Sequence, residues 1–129
     1  MSQQTATRTN VRARVDELVR FVQQGRILEA MDEFYAPDVK MSENANPPTV
    51  GLAANVEREK QFLSQVKQWK GFTATAVGVD EQRGVSFVEN VIEFTHTSGA
   101  DVRMEQVSVA RWRDGKIVEE RFYYDSAKK

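Results

Sequence analysis

Glu120 lies in the stretch WRDGKIVEERFYYD, residues 112–125, together with Trp112, Phe122 and Tyr124. A carboxylate enclosed by such neighbours is desolvated, holds its proton to higher pH, and can act as a general acid or base near neutrality. On the opposite face of the same strand it would be an ordinary solvated or ion-paired glutamate. Glu43 is the second acidic candidate, placed where a short alternating segment runs into the polar, proline-bearing loop 44–49. Two carboxylates facing one cavity can share a proton or divide acid and base roles. Capping of the loop by Glu43 or Asn44 is the competing use. Arg58 and Glu59 follow on a helical segment, where they either neutralise these carboxylates or face solvent. Gln106 and Tyr124 could each donate a hydrogen bond to a substrate carbonyl, or satisfy one another in a core. In the strand over residues 85–97 either Glu89 or Asn90 faces inward, depending on the length of the Ser98-Gly99 turn. The candidate catalytic residues are therefore Glu120 and Glu43. The candidate substrate-binding residues are Gln106, Tyr124, Phe122, Trp112, and Glu89 or Asn90.

Other chemistries find no support in the chain. It contains no cysteine and one histidine, His96, beside a turn, so neither a thiolate nor a multi-histidine metal site is expected. No glycine-rich phosphate loop and no G-x-S-x-G elbow occurs. No metal and no cofactor is expected.

The elements that must position these residues follow from periodicity. Val11, Val15, Leu18, Val19 and Val22 form one helical stripe, which Gly25 stops. Ile27, Leu28, Met31, Phe34 and Tyr35 form a second, ended by Pro37. After a short strand over 38–43 and the loop, a third helix beyond Gly51 carries Leu52, Val56, Leu63 and Val66, with Phe62 and Trp69 widening its apolar face. After Gly71 the period changes to two, which predicts strands over 72–79, 85–97, 102–113 and 116–125, joined by turns into an antiparallel meander. The fold class is α+β: three helices packed in the concave face of a strongly curved, mostly antiparallel sheet, a cone-shaped barrel.

Register decides which face lines the cone. With Arg113-Asp114-Gly115 as a three-residue turn, Trp112 pairs with Lys116. Met104, Gln106, Ser108, Ala110 and Trp112 then share the inner face with Val118, Glu120, Phe122 and Tyr124. A two-residue type I′ turn would shift the pairing and exchange Glu120 for Glu119. The first is preferred because it puts the larger aromatics inside. The outer face then carries Val107, Val109 and Ile117 among charges, which suits cover by a partner subunit.

At 129 residues the chain is long enough for one domain with a real core, expected over residues 11–127 behind a polar tail over 1–10. The tail lacks the apolar stretch of a secretory leader, and no run is long enough to span a bilayer, so a cytoplasmic protein without membrane attachment is expected. Eighteen basic against nineteen acidic residues leave a net charge of −1, and no nucleic-acid partner is expected.

This order of elements resembles the SnoaL-like family of the nuclear transport factor 2-like superfamily, the cystatin-like α+β cone. The resemblance rests on WRDGKIVEERFYYD, supported by FYAPDVKMSEN (34–44), GLAANVERE (51–59) and FVENVIEFTHTSG (87–99). It implies a cavity for a small organic ligand and a homodimer through the outer sheet face. In the family's polyketide cyclases the closing strand carries a His-Trp-Asp pattern with the Asp as base. Glu120 and Phe122 stand at the positions matching that His and Asp, so cyclase activity does not carry over, and the subgroup resembled has no assigned reaction. The expected function is cofactor-independent isomerase, dehydratase or cyclase chemistry by carboxylates on a small apolar or cyclic substrate. The alternative is a non-catalytic binding domain for a small hydrophobic ligand, or a dimeric adaptor.

Overall fold

The structure is a computed structural model that describes residues 10–126. Of the expected tail over residues 1–10, only Asn10 falls among the described residues, and residue 127 lies outside them.

Helix α1, Val11–Gln23, buries Val11 and Val15 and leans Leu18, Val19 and Val22 on the core. Its first amides receive no cap from Asn10. Instead the Glu81 carboxylate, seventy residues on, accepts from the backbone N–H groups of Val11 and Arg12 at 3.0 and 2.9 Å. That places a negative charge at the positive end of the helix dipole. Gly25, at φ +77°, makes the reversal into α2, Ile27–Phe34, and a side chain there would meet the Trp69 ring at 3.6 Å. Phe34 is fully buried and meets Phe21 edge to face, with ring centres 5.2 Å apart.

Strand β1, Tyr35–Glu43, follows without a break, earlier than the segment 38–43 that the alternation picks out. The two-residue β2, Thr49–Val50, leads through Gly51 into α3, Leu52–Leu63. Asn55 is buried on α3, and its Nδ2 donates to the carbonyls of Thr49 and Gly51, tying the helix to the loop.

The third helix ends at Leu63, so Val66 and Trp69 belong not to it but to β3, Val66–Asp80. Bulges in β3 explain the misreading. Trp69 and Phe72 are three apart, yet they lie opposite Phe94 and Ile92 on the same inner face, because register shifts between Trp69 and Gly71. One extra residue turns a strand's period of two into an interval that looks helical.

Strands β4, Val85–His96, β5, Asp101–Arg113, and β6, Lys116–Tyr123, complete a six-stranded sheet of order β2-β1-β6-β5-β4-β3. All neighbours are antiparallel except β1 and β6, which run parallel. The sheet is mixed and stays open rather than closing into a barrel. The three helices cover its concave face, as expected.

The β5–β6 turn corrects the expected register twice. It is the two-residue form, with Asp114 and Gly115 both at positive φ and Arg113 paired with Lys116. Such a turn alone would send Glu120 outward. A register shift then follows: Trp112 lies opposite Ile117 but Arg111 opposite Glu119, leaving Val118 as the extra residue. The parity is restored, and Glu120 sits opposite Ala110 on the inner face. Ile117, expected outside, is fully buried.

Candidate functional site

The inner face of the sheet and the apolar stripes of the helices line a partly open cavity of about 270 Å³. Leu18, Val19, Val22 and Met31 wall it from the helices, and Phe72, Val88 and Ile92 from the sheet. Polar groups gather at one side, where β1, β6 and α3 meet.

Glu120 is 3 % exposed, and both carboxyl oxygens are engaged by hydroxyls. Tyr35, the first residue of β1, donates to Oε1, and Ser108 Oγ donates to Oε2 at 2.5 Å. Burial raises the Glu120 pKa above the usual carboxylate range, while the bonds from Ser108 and Tyr35 pull it back. Burial, with the neighbouring Glu120 charge, lifts the Tyr35 phenol well above its ordinary range, so it stays a donor.

Glu43 stands at the end of β1, one inward position beyond Met41, the residue opposite Glu120. Its Oε1 accepts from the Tyr124 hydroxyl at 2.6 Å, and Arg58 approaches Oε2 at 3.6 Å. That bond raises the Tyr124 pKa to about 12. Loop capping falls to Asn44, whose Oδ1 accepts from the Tyr124 amide at 3.0 Å.

A third carboxylate joins them. Glu59 is half-buried on the inward side of α3 and makes no hydrogen bond among the described residues. Burial raises its pKa to about 7, assisted by the charges of Glu120 and Glu43 and opposed by Arg58. Sequence reasoning left Glu59 among solvated or merely neutralising residues. Its signal was present: Asn55, Glu59 and Phe62 recur at helical spacing beside the apolar Val56 and Leu63, which puts the carboxyl on the buried stripe.

Of the residues singled out from sequence, Glu120, Glu43, Gln106, Phe122, Tyr124 and Asn90 border this cavity. Two do not. Trp112 is buried in the core beyond it, its Nε1 donating to Ser86 Oγ at 2.9 Å. Glu89 is exposed on the outer face and accepts from Thr75 Oγ1 at 2.7 Å, because Asn90 takes the inward parity opposite Gln106. Tyr124 bonds Glu43 rather than Gln106. Two buried polar atoms beside the cavity lack a partner among the described residues, Trp69 Nε1 and Asn90 Oδ1.

Three helices over a curved, open mixed sheet, enclosing a largely apolar cavity with a few convergent polar groups, define a small α+β cone. The profile of the SnoaL-like domain matches residues 15–120, and the chain belongs to that family. A candidate SnoaL-like polyketide cyclase from Mesorhizobium loti shares the fold with a TM-score of 0.74 at 21 % identity, over 89 % of this chain and 99 % of that one. A candidate isomerase from Bacillus subtilis matches with a TM-score of 0.74 at 19 % identity, over 89 % and 86 %. A nuclear transport factor 2-like protein of unknown function from Burkholderia pseudomallei matches with a TM-score of 0.78 at 16 % identity, over 92 % and 93 %. No curated protein matches the chain significantly. Among the described residues no helix is long and apolar enough to cross a membrane.

Proposed function

We propose that the cavity carries out cofactor-independent proton transfer on a small, largely apolar or cyclic organic substrate, a reaction of the isomerase, dehydratase or cyclase type. The observation that carries this reading is the convergence of Glu120, Glu59 and Glu43 on one apolar cavity with, among the described residues, a single cation, Arg58, beside them. Carboxylates so placed cannot all ionise cheaply, so one of them keeps a proton near neutral pH. Glu59, at about 7, is poised to give or take it. Glu120 is the enclosed carboxylate that its two hydroxyls hold in one orientation, and Tyr124 and Arg58 hold Glu43 at the polar side. The candidate isomerase and cyclase among the structural neighbours are consistent with such chemistry.

The test is isomerisation of a panel of β,γ-unsaturated cyclic ketones to conjugated enones, followed by ultraviolet absorbance and by deuterium uptake from solvent. Turnover that is lost in Glu120→Gln while ligand binding persists supports the reading. Binding without turnover or exchange in the wild type leaves a ligand-binding domain.

The protein is further proposed to act as a homodimer through the outer sheet face, where Phe87 and Tyr123 are exposed and flank Val107 and Val109. Ile117, expected on that face, is fully buried and does not contribute. A monomer in sedimentation at micromolar concentration rules this assembly out.

A further inference from the structure

Asn90 is 2 % exposed at the cavity wall, and its amide is only half used. Nδ2 donates to the Val88 carbonyl at 3.0 Å, which fixes the orientation of the group, and Oδ1 is left without a donor. The inward positions before and after it on β4 are Val88 and Ile92, and its partner on β3 is Ala74, none of which carries a polar side chain. Its partner on β5 is Gln106, which also borders the cavity and whose side chain makes no hydrogen bond among the described residues. Side chains directly opposite on antiparallel strands have their Cβ atoms about 5 Å apart. An unpartnered acceptor and an unpartnered amide thus stand on facing inward positions of β4 and β5.

We propose that Asn90 and Gln106 form a clamp for a ligand hydroxyl, which donates to Asn90 Oδ1 and accepts from the Gln106 amide, and that the cavity selects neutral hydroxylated molecules on an apolar frame. Among the groups an organic ligand offers, a hydroxyl is the smallest that does both. A carboxylate has no donor for Oδ1, and a carboxylate or phosphate brings its negative charge to three glutamates. An ammonium has nothing to accept from Gln106. The hydroxyls already in the cavity cannot serve, because Tyr35, Ser108 and Tyr124 are bonded to Glu120 and Glu43. Gln106 lies one inward position along β5 from Ser108, roughly 7 Å on at the usual strand rise. A ligand the size of a substituted ring can thus reach the clamp and the Glu120 carboxyl at once. This inference rests on the proposed cavity but not on its chemistry.

The experiment is titration of ¹⁵N-labelled protein with benzyl alcohol, benzyl methyl ether, benzylammonium and benzoate, following the side-chain amide resonances of Asn90 and Gln106. The alcohol is expected to bind about tenfold more tightly than the ether, the scale of one hydrogen bond, and to shift both amide resonances. Benzoate is expected not to bind. In Asn90→Leu the alcohol and the ether should bind alike, with the melting temperature of the empty protein unchanged or raised, since a buried unpartnered acceptor has been removed. Equal binding of alcohol and ether by the wild type, tighter binding of either ion, or failure of the alcohol to bind overturns the proposal. So does an Asn90→Leu variant that melts lower and keeps the preference, which makes Asn90 a purely structural group. Loss of turnover in Glu120→Gln is a separate result, so the clamp and the chemistry fail independently.

Discussion

Replacing Glu59 by Gln should make the protein more stable at pH 8 and change little at pH 5. Folding moves this carboxyl from an ordinary 4.5 to about 7. Between those values the folded state binds a proton that the unfolded chain has released. The contribution of this group to stability is therefore fully present below about 4.5, falls across that window and is lost once pH has risen through 7. Full ionisation of a group shifted this far costs roughly 3 kcal/mol, and about 2 kcal/mol once the solvent that reaches a half-buried side chain is allowed for. For a domain of this size about 2 kcal/mol corresponds to roughly 5–10 °C in melting temperature. Gln has nearly the same shape and no charge, so it removes the cost and also the repulsion on Glu120 and Glu43. Urea denaturation of wild type and Glu59→Gln at pH 5, 6, 7 and 8 is the assay. The wild-type midpoint should fall with pH while the variant stays flatter, and the curves should separate by about 2 kcal/mol at pH 8. Parallel curves, or a variant weaker at every pH, would show that Glu59 is solvated and is not the proton-holding group of the cavity.

Other perturbations probe the surroundings. Ser108→Ala removes one of the two hydrogen bonds that favour the ionised form of Glu120, so the pKa of that carboxyl should rise further, as read from its ¹³C shift in a pH titration. An unchanged titration would mean that Ser108 does not engage the carboxylate. Glu81→Ala removes the acceptor for the first two amides of α1 and should cost about 1 kcal/mol by denaturation, leaving ligand affinity alone. Trp112→Phe should destabilise the fold by about 1–3 kcal/mol, through the lost bond to Ser86, without altering affinity for any cavity ligand. A weakened affinity would return Trp112 to the site.

Much of the architecture was legible because each element carries its own period. The stripes of α1 and α2, the stop at Gly25 and the alternation of β4 to β6 are local patterns, and local patterns survive without knowledge of their partners. The errors fall where pairing decides. Val66 and Trp69 looked helical because bulges in β3 change the spacing of inward residues. Glu120 was placed inward through a wrong turn, and its inward position in the structure depends on the bulge at Val118, which no pattern within the hairpin announces.

The sequence alone pointed to a curved sheet and three helices packed around an apolar interior, since amphipathic elements bury their apolar faces against one another. It also pointed to carboxylates as the candidate acids and bases there, for the chain offers no cysteine and one histidine. Tertiary structure decided which carboxylates share the space. Glu120, Glu59 and Glu43 come from β6, α3 and β1, and only packing of those elements brings the charges of Glu120 and Glu43 close enough to help burial raise the pKa of Glu59. It also decided that Asn90 rather than Glu89 borders the cavity, because a side chain's inward or outward parity depends on turns and pairing elsewhere in the sheet, and that Trp112, although inward, packs in the core beyond the cavity.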